Sequence, residues 1–252
     1  MSRAGRPAPG PPAEEPATAA ELATLWRLAQ RLQACQSVAD AEAAARAAAV
    51  GHGSPVMERA IADTVRPALE NIRERERLRE LAIRDPLTGL ANRGFMEEEL
   101  ERQLARQAAL GRPLAVALID LDHFRDYNLR HGHLAGDLAL KSLAGLLQGC
   151  RRDGDVPCRY GGDEFVLIMP DATAAEAGAR LEPLRGRLAE AAVHHEGRRV
   201  EPVTASIGIA ECPAEGGSSL ATLLAAADAA MYAAKQSGRN RICRASDGRR
   251  ET

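Results

Sequence analysis

Gly161-Gly162-Asp163-Glu164-Phe165, running straight into the apolar segment Val166-Leu167-Ile168-Met169, is the stretch on which the reading of this chain turns. A Gly-Gly pair between two extended segments predicts a two-residue hairpin turn. Glycine also lets a backbone lie close to a ligand. The adjacent acids Asp163 and Glu164 offer oxygen ligands to a hard cation. The expectation is a hairpin whose tip holds a metal-bound phosphate.

The segments around the hairpin alternate in type. After the turn-rich Asp85-Pro86-Leu87-Thr88-Gly89, a helix is predicted over 93–110, stopped by Gly111-Arg112-Pro113. A continuous apolar strand follows at 114–121, then a helix carrying Leu134, Leu138, Leu143, Leu146 and Leu147. Beyond the hairpin, a helix is expected over 173–192, a strand over 200–210, a helix over 218–236 and a short strand near 241–244. Helices crossing between strands, with one hairpin, predict an α/β (α+β) fold: a single sheet with helices packed on it, in an elaborated ferredoxin-like βαββαβ order.

Residues 1–20, almost wholly Pro, Ala and small polar residues, are expected to be a disordered tail. Residues 21–82 read as an all-helical module, with a break at Gly51-His52-Gly53-Ser54-Pro55 where Ser54 is placed to cap and Pro55 to start a helix. A kink is expected at Pro67. The apolar spacing 61, 65, 68, 72 fits a coiled-coil seam, which Arg75 and Arg79 then interrupt. A charged linker helix closes the module. Residues 83–246 form the α/β domain, and 247–252 a flexible end.

Composition excludes several classes of function. A formal net charge of −2 over 252 residues removes any bulk-charge case for nucleic-acid binding. The longest apolar strand, Leu114 to Ile119, is too short to span a bilayer. The N-terminus has no apolar run of the kind a signal peptide needs. Five scattered cysteines without CxxC spacing read as buried thiols of a reducing compartment, the cytoplasm.

Ile119-Asp120-Leu121-Asp122 ends the predicted first strand. Period-two geometry puts Asp120 and Asp122 on one face, and strand ends are where α/β sheets bind ligands. For an isolated DxD the simpler reading is that the acids cap the next helix. Asn128 and Asp137 have the donors and acceptors to read a guanine edge. Gly132 and Gly136 read as turn residues, and His131 with His133 as loop polarity. Arg152 and Asp155 suit a surface ion pair, or a site for phosphate and guanine. Lys235 and Arg239 sit at a helix end where the dipole favours cations.

Taken in order, DPLTGLANR, LIDLDHFRDYN, GHLAGD, RxxD, RYGGDEF, VTASIGIA and AMYAAKQSGRN resemble one family, the GGDEF-domain diguanylate cyclases, over residues 83–244. The resemblance implies a Mg²⁺-dependent enzyme, with Mn²⁺ as a possible substitute. Two such domains face each other in a homodimer and join two GTP molecules into cyclic di-GMP, releasing two pyrophosphates. It further implies that Asp120, the Leu121 carbonyl, Asp163 and Glu164 are metal ligands, with Asp163 also the acceptor of the 3′-hydroxyl proton. Arg125 would stabilise the transferring phosphate. Asn128, His133 and Asp137 would hold the guanine, Gly161 and Gly162 would line the substrate, and Lys235 and Arg239 would hold phosphates. Arg152 and Asp155 would bind the product as an inhibitor. Leu129 stands where the family usually has Asp, Arg125 where it usually has Lys, and Ala91 where Pro is frequent. The alternative is a non-catalytic cyclic di-GMP receptor, against which the intact acids at 163 and 164 argue. A catalytic domain taking a different nucleotide is a third reading.

Overall fold

A computed structural model describes residues 18–50, 55–191, 193–195, 198–213 and 217–245. Residues 1–17 of the tail expected over 1–20, the capping by Ser54 and the flexible end after 246 lie outside those residues, whereas residues 18–20 are the cap and first residues of a helix. The described residues divide into two compact units, one ending at Ala82 and one starting at Ile83.

The N-terminal unit begins with α1 (Ala19–Ala34), two residues before the expected start. Thr18 accepts from the Glu21 amide while the Glu21 side chain reaches back to the Thr18 backbone, a capping box that supplies partners to two otherwise unpaired amides. α2 (Val38–Ala49) is capped by Ser37. α3 (Pro55–Ile83) runs as one helix through Pro67. Ile61, Val65 and Ile72 of the expected coiled-coil seam are buried within the unit's own core, with Leu28, Leu32, Ala41, Ala44 and Met57. The seam is therefore consumed inside the module.

In the second unit, α4 (Arg93–Leu110) starts at the cap Asn92, whose side chain accepts from the Phe95 amide. It ends at Gly111 in the left-handed conformation, φ +62°, which glycine adopts without a Cβ clash. β1 (Leu114–Leu121) follows, then α5 (Phe124–His131), α6 (His133–Cys150), β2 (Val156–Gly161), β3 (Glu164–Pro170) and α7 (Ala174–Glu190). A small separate hairpin, β4 (Val193–His195) with β5 (Arg198–Val200), precedes β6 (Ala205–Cys212), α8 (Leu220–Gln236) and β7 (Ile242–Arg244). The expected strand over 200–210 is thus two pieces in different sheets, separated by Glu201–Thr204.

The main sheet has the order β2-β3-β1-β6-β7. Its first four strands have the ferredoxin-like order, antiparallel throughout, and β7 adds a parallel edge. β1, central in this sheet, is buried along its whole length. Its side chains alternate between two cores. Ala115, Ala117, Ile119 and Leu121 pack with residues of α6 and α7. Leu114, Val116 and Leu118 pack with residues of α4 and α8. That parity decides what the acid at 120 meets.

α8 lies unusually close to β6. A Cβ placed on Gly208 would stand 2.1 Å from the Ala227 carbonyl oxygen and 2.1 Å from the Met231 amide. Only the missing side chain admits the helix backbone at that distance. One turn beyond Met231 on the same helix is Lys235.

Candidate nucleotide and metal site

The β1–β3 register sets Asp120 directly opposite Glu164. Side chains so paired lie within about 5.5 Å at Cβ, and like charges there repel. Parity turns Asp120 toward α8, and the Lys235 Nζ lies 2.9 Å from its Oδ2. Asp120 is largely buried, and burial pushes its carboxyl up to about 6 against the pull of Lys235, with Asp163 and Glu164 adding to the rise. Neither acid of the DxD pair caps the following helix: α5 has His123 at its N-cap, in a left-handed conformation and without a side-chain cap bond. The simpler reading of that pair is therefore corrected.

The hairpin turn is shifted by one residue from the expected Gly161-Gly162. Gly161 pairs with Glu164 inside the strands, so the loop is Gly162-Asp163, with Gly162 at φ +54°. Tyr160 is an extra residue in β2 between the paired Arg159 and Gly161, a bulge of the kind that re-aims a strand beside a site. Arg159 holds this tip from below. Its Nε and Nη2 donate to the Gly162 carbonyl at 3.0 and 2.7 Å, and its Nη1 donates to both Asp85 carboxylate oxygens at 3.2 and 3.1 Å. Asp85 in turn accepts from the Thr88 amide and hydroxyl. These bonds to Thr88 and Arg159 keep its carboxyl below the usual range, although burial opposes them. The Leu121 amide donates to the Asp163 carbonyl at 3.4 Å.

Gly136 is a buried residue within α6, not a turn residue. A Cβ there would stand 1.8 Å from Asn128 Oδ1, so the glycine makes room for the Asn128 carboxamide. That Oδ1 is buried with no protein partner. A buried polar atom without a partner costs about 1–3 kcal/mol, and an incoming donor removes that cost. Gly132, at φ +83°, is the junction of α5 and α6, as its turn role required. His133 begins α6 and is exposed, and Asp137 stands one residue beyond Gly136, half-buried. Arg125 is exposed on α5, and Leu129 is 77% exposed.

Asp155 is buried, and its partner is Arg180 of α7, with the Arg152 amide donating to the same oxygen at 2.7 Å. Arg152 offers only its backbone to Asp155, so the expected ion pair between the two is replaced. Its exposed guanidinium makes no hydrogen bond or ion pair among the described residues. Arg239 is exposed in a left-handed conformation, φ +59°, after α8.

All metal-donor candidates here are oxygens, the preference of Mg²⁺ or Mn²⁺, which bind through one or two carboxylates plus substrate phosphates. Among the described residues no three His, Cys, Asp or Glu side chains gather into a metal site of their own. The oxygen donor set is the kind such a cation takes. Sequence reasoning gave no role to Arg159, Asp85 or Arg180, and read Asp122 only as a strand-end acid or a helix cap. Asp85 and Arg159 lie inside DPLTGLANR and RYGGDEF, but nothing in the sequence links Arg180 to Asp155.

Fold and site together define a class: an α/β domain with a ferredoxin-like sheet that gathers carboxylates and cations at one end of its central strand. The family model described as diguanylate cyclase, GGDEF domain, matches residues 82–241, and the chain belongs to that family. It is 42% identical over 165 residues to the diguanylate cyclase DgcP of Pseudomonas aeruginosa, a match covering 65% of this chain and 24% of DgcP. The chain thus spans about a quarter of that relative's length. Among solved structures, the coiled coil and GGDEF domain of DgcB from Caulobacter crescentus, in complex with c-di-GMP, superposes with TM-score 0.67 at 32% identity. That match covers 75% of this chain and 98% of DgcB's. The diguanylate cyclase SiaD in complex with its activator SiaC, from Pseudomonas aeruginosa, gives TM-score 0.63 at 30% identity, covering 89% and 85%.

Proposed function

We propose that this chain condenses two GTP molecules into cyclic di-GMP with release of two pyrophosphates, as a homodimer. The observation that carries the reading is the acidic pair Asp120 and Glu164, held opposite each other in register with Lys235 upon it, in a chain of this family. Asp120, the Leu121 carbonyl, Asp163 and Glu164 would hold Mg²⁺, or Mn²⁺ in its place. Bound there, the cation neutralises charge on the α-phosphate and favours ionisation of the attacking hydroxyl.

The chain's own residues do the rest. Asn128, with His133 and Asp137 beside it, receives the guanine, and the unpaired Asn128 Oδ1 accepts from a base N–H. Gly161 and Gly162, both exposed, let the triphosphate approach the backbone. Lys235 exchanges Asp120 for phosphate oxygens once substrate is present, and Arg239 and Arg125 add positive charge. Asp163 accepts the 3′-hydroxyl proton as that oxygen attacks the α-phosphate of the second GTP. In-line attack needs the second nucleotide, held by a second copy, within reach. Positioning and charge stabilisation account for most of the acceleration in such transfers.

Arg152 and Asp155 form the product-inhibition site in this reading. The exposed Arg152 guanidinium, without a hydrogen bond or ion pair among the described residues, three residues from a carboxylate fixed by Arg180, supports it, as does the bound product in DgcB. Residues 21–82 are the regulatory and dimerisation module and 83–246 the catalytic domain. The match to SiaD with its activator, which extends over 89% of the chain, supports control through the helical part. No described helix is long and apolar enough to cross a membrane, and a GTP-consuming protein with free thiols belongs in the cytoplasm.

Purified chain given GTP and Mg²⁺ is expected to release pyrophosphate and accumulate cyclic di-GMP. Binding of cyclic di-GMP without turnover at any protein concentration would leave the receptor reading in its place.

A further inference from the structure

After α8 the chain does something costly. Gly238, Arg239 and Asn240 follow one another at φ +110°, +59° and +45°. For a non-glycine residue the left-handed region costs about 1–2 kcal/mol, and two in succession persist only where surrounding contacts hold them. The contacts converge on Asn240. Its amide donates to Asp122 Oδ2 at 3.0 Å, and Arg185 of α7 donates to its side-chain oxygen at 2.7 Å and its carbonyl at 3.2 Å.

Asp122 itself is 6% exposed and fully engaged. Thr204 Oγ1 donates to Oδ2 at 2.7 Å and Ser206 Oγ to Oδ1 at 2.6 Å. The Asp122 amide donates to the Thr204 carbonyl at 2.8 Å. One buried carboxylate therefore ties the end of β1, the start of β6 and the left-handed turn beyond α8. Asp120 and Leu121 lie on one side of this knot and Arg239 on the other. Arg239 makes no side-chain hydrogen bond or ion pair among the described residues, so its own contacts do not place it.

We propose that Asp122 is a positioning residue for the triphosphate: by holding the Asn240 amide it fixes the left-handed turn that aims Arg239 at the phosphates beside the acids of β1. This rests on the GTP reading above and names a residue that reading leaves without a role. Asp122 touches neither cation nor nucleotide, and its effect passes through Arg239. Charge-assisted hydrogen bonds of this kind are worth enough to change affinity by roughly 10- to 100-fold when broken.

The test is a double-mutant cycle on the full chain, titrated with 3′-deoxy-GTP, which cannot react, and with guanosine, which has no phosphate. Asp122→Ala is expected to weaken 3′-deoxy-GTP about 10-fold or more and to leave guanosine within about 2-fold. On an Arg239→Ala background it should add little further loss. Equal losses for the two ligands, or the same factor on both backgrounds, would reduce Asp122 to a general structural tie. If Asp122→Ala does not fold, Thr204→Val removes one donor from the carboxylate without emptying its place, and the same pattern is expected at smaller size. Should the wild-type chain bind neither ligand, the GTP reading falls. Amide hydrogen exchange at Asn240 then still decides the tie, because unchanged protection in Asp122→Ala or Thr204→Val would overturn it.

Discussion

Asp120 shows how one side chain answers to several neighbours. Strand parity turns it toward α8, the β1–β3 register sets Glu164 across from it, and Lys235 closes on its carboxylate. Burial dominates, raising its carboxyl from 3.8 to about 6. The sign follows from linkage. The folded chain binds this proton more tightly than the unfolded chain, so the group's contribution to stability is present below about pH 3.8 and is lost as pH rises through about 6. A cation needs the ionised form, so Mn²⁺ affinity should fall ~10-fold per pH unit below about pH 6 and level off above it. Calorimetric titration of the metal between about pH 5 and 8 checks this, and a flat profile would separate Asp120 from metal binding. The Cys158 thiol is a contrast: burial pushes it up to about 12, which makes it an inert core residue. Cys35, Cys150 and Cys243 are only half-buried, so the reading of all five as buried thiols holds for Cys158 and Cys212.

Among the elements, α8 is placed by an absence. Because Gly208 has no side chain, the helix backbone lies against β6, and that approach delivers Lys235 to the end of β1. Gly208→Ala would drive a methyl group into backbone atoms that cannot rotate away. A cost of about 3 kcal/mol is expected, toward the upper end for overpacking. Thermal unfolding should show it as a lowered midpoint, and any GTP turnover should fall with it even in folded protein. An unchanged midpoint would mean that α8 shifts freely, which its contacts with β6 argue against. The β2–β3 hairpin makes the opposite case, since bonds rather than space hold its tip. Arg159 connects the Gly162 carbonyl to Asp85, 74 residues away in sequence.

At the scale of the molecule, each copy offers one acidic pair and one proposed guanine site, so the proposed reaction between two nucleotides calls for two copies. Specific activity should therefore rise with protein concentration and saturate once the dimer is populated. A rate per chain that stays constant on dilution to well below the dissociation constant of the dimer would contradict the two-copy site. The apolar seam of α3 is not free to supply a contact for the proposed dimer, because Ile61, Val65 and Ile72 are spent inside the N-terminal unit. Leu22 and Trp26 on α1, 56% and 66% exposed, and Leu78 and Leu81 on α3, 56% and 64% exposed, are among the large apolar side chains that the unit leaves uncovered.

Much of this was legible in the sequence because its signals are local. The apolar run at 114–121, the caps and stops of the helices, and the acids at a hairpin follow from neighbours within a few residues, and so the sheet and its helices could be read in advance. The hairpin turn slipped by one residue because a bulge at Tyr160 is a property of two strands in register, which no single strand announces. Gly136 read as a turn residue and Gly208 carried no reading until the structure set Asn128 and the α8 backbone against them. Asp155 found Arg180 and Asp122 found Asn240 across 25 and 118 positions. The sequence by itself determined the alternation of helix and strand and the identity of the acids and cations, since periodicity and chemical type are carried by each residue and its near neighbours. Which carboxylate meets which cation was decided only by tertiary structure, because strand register, side-chain parity and the closeness of helix to sheet exist only once distant segments pack together.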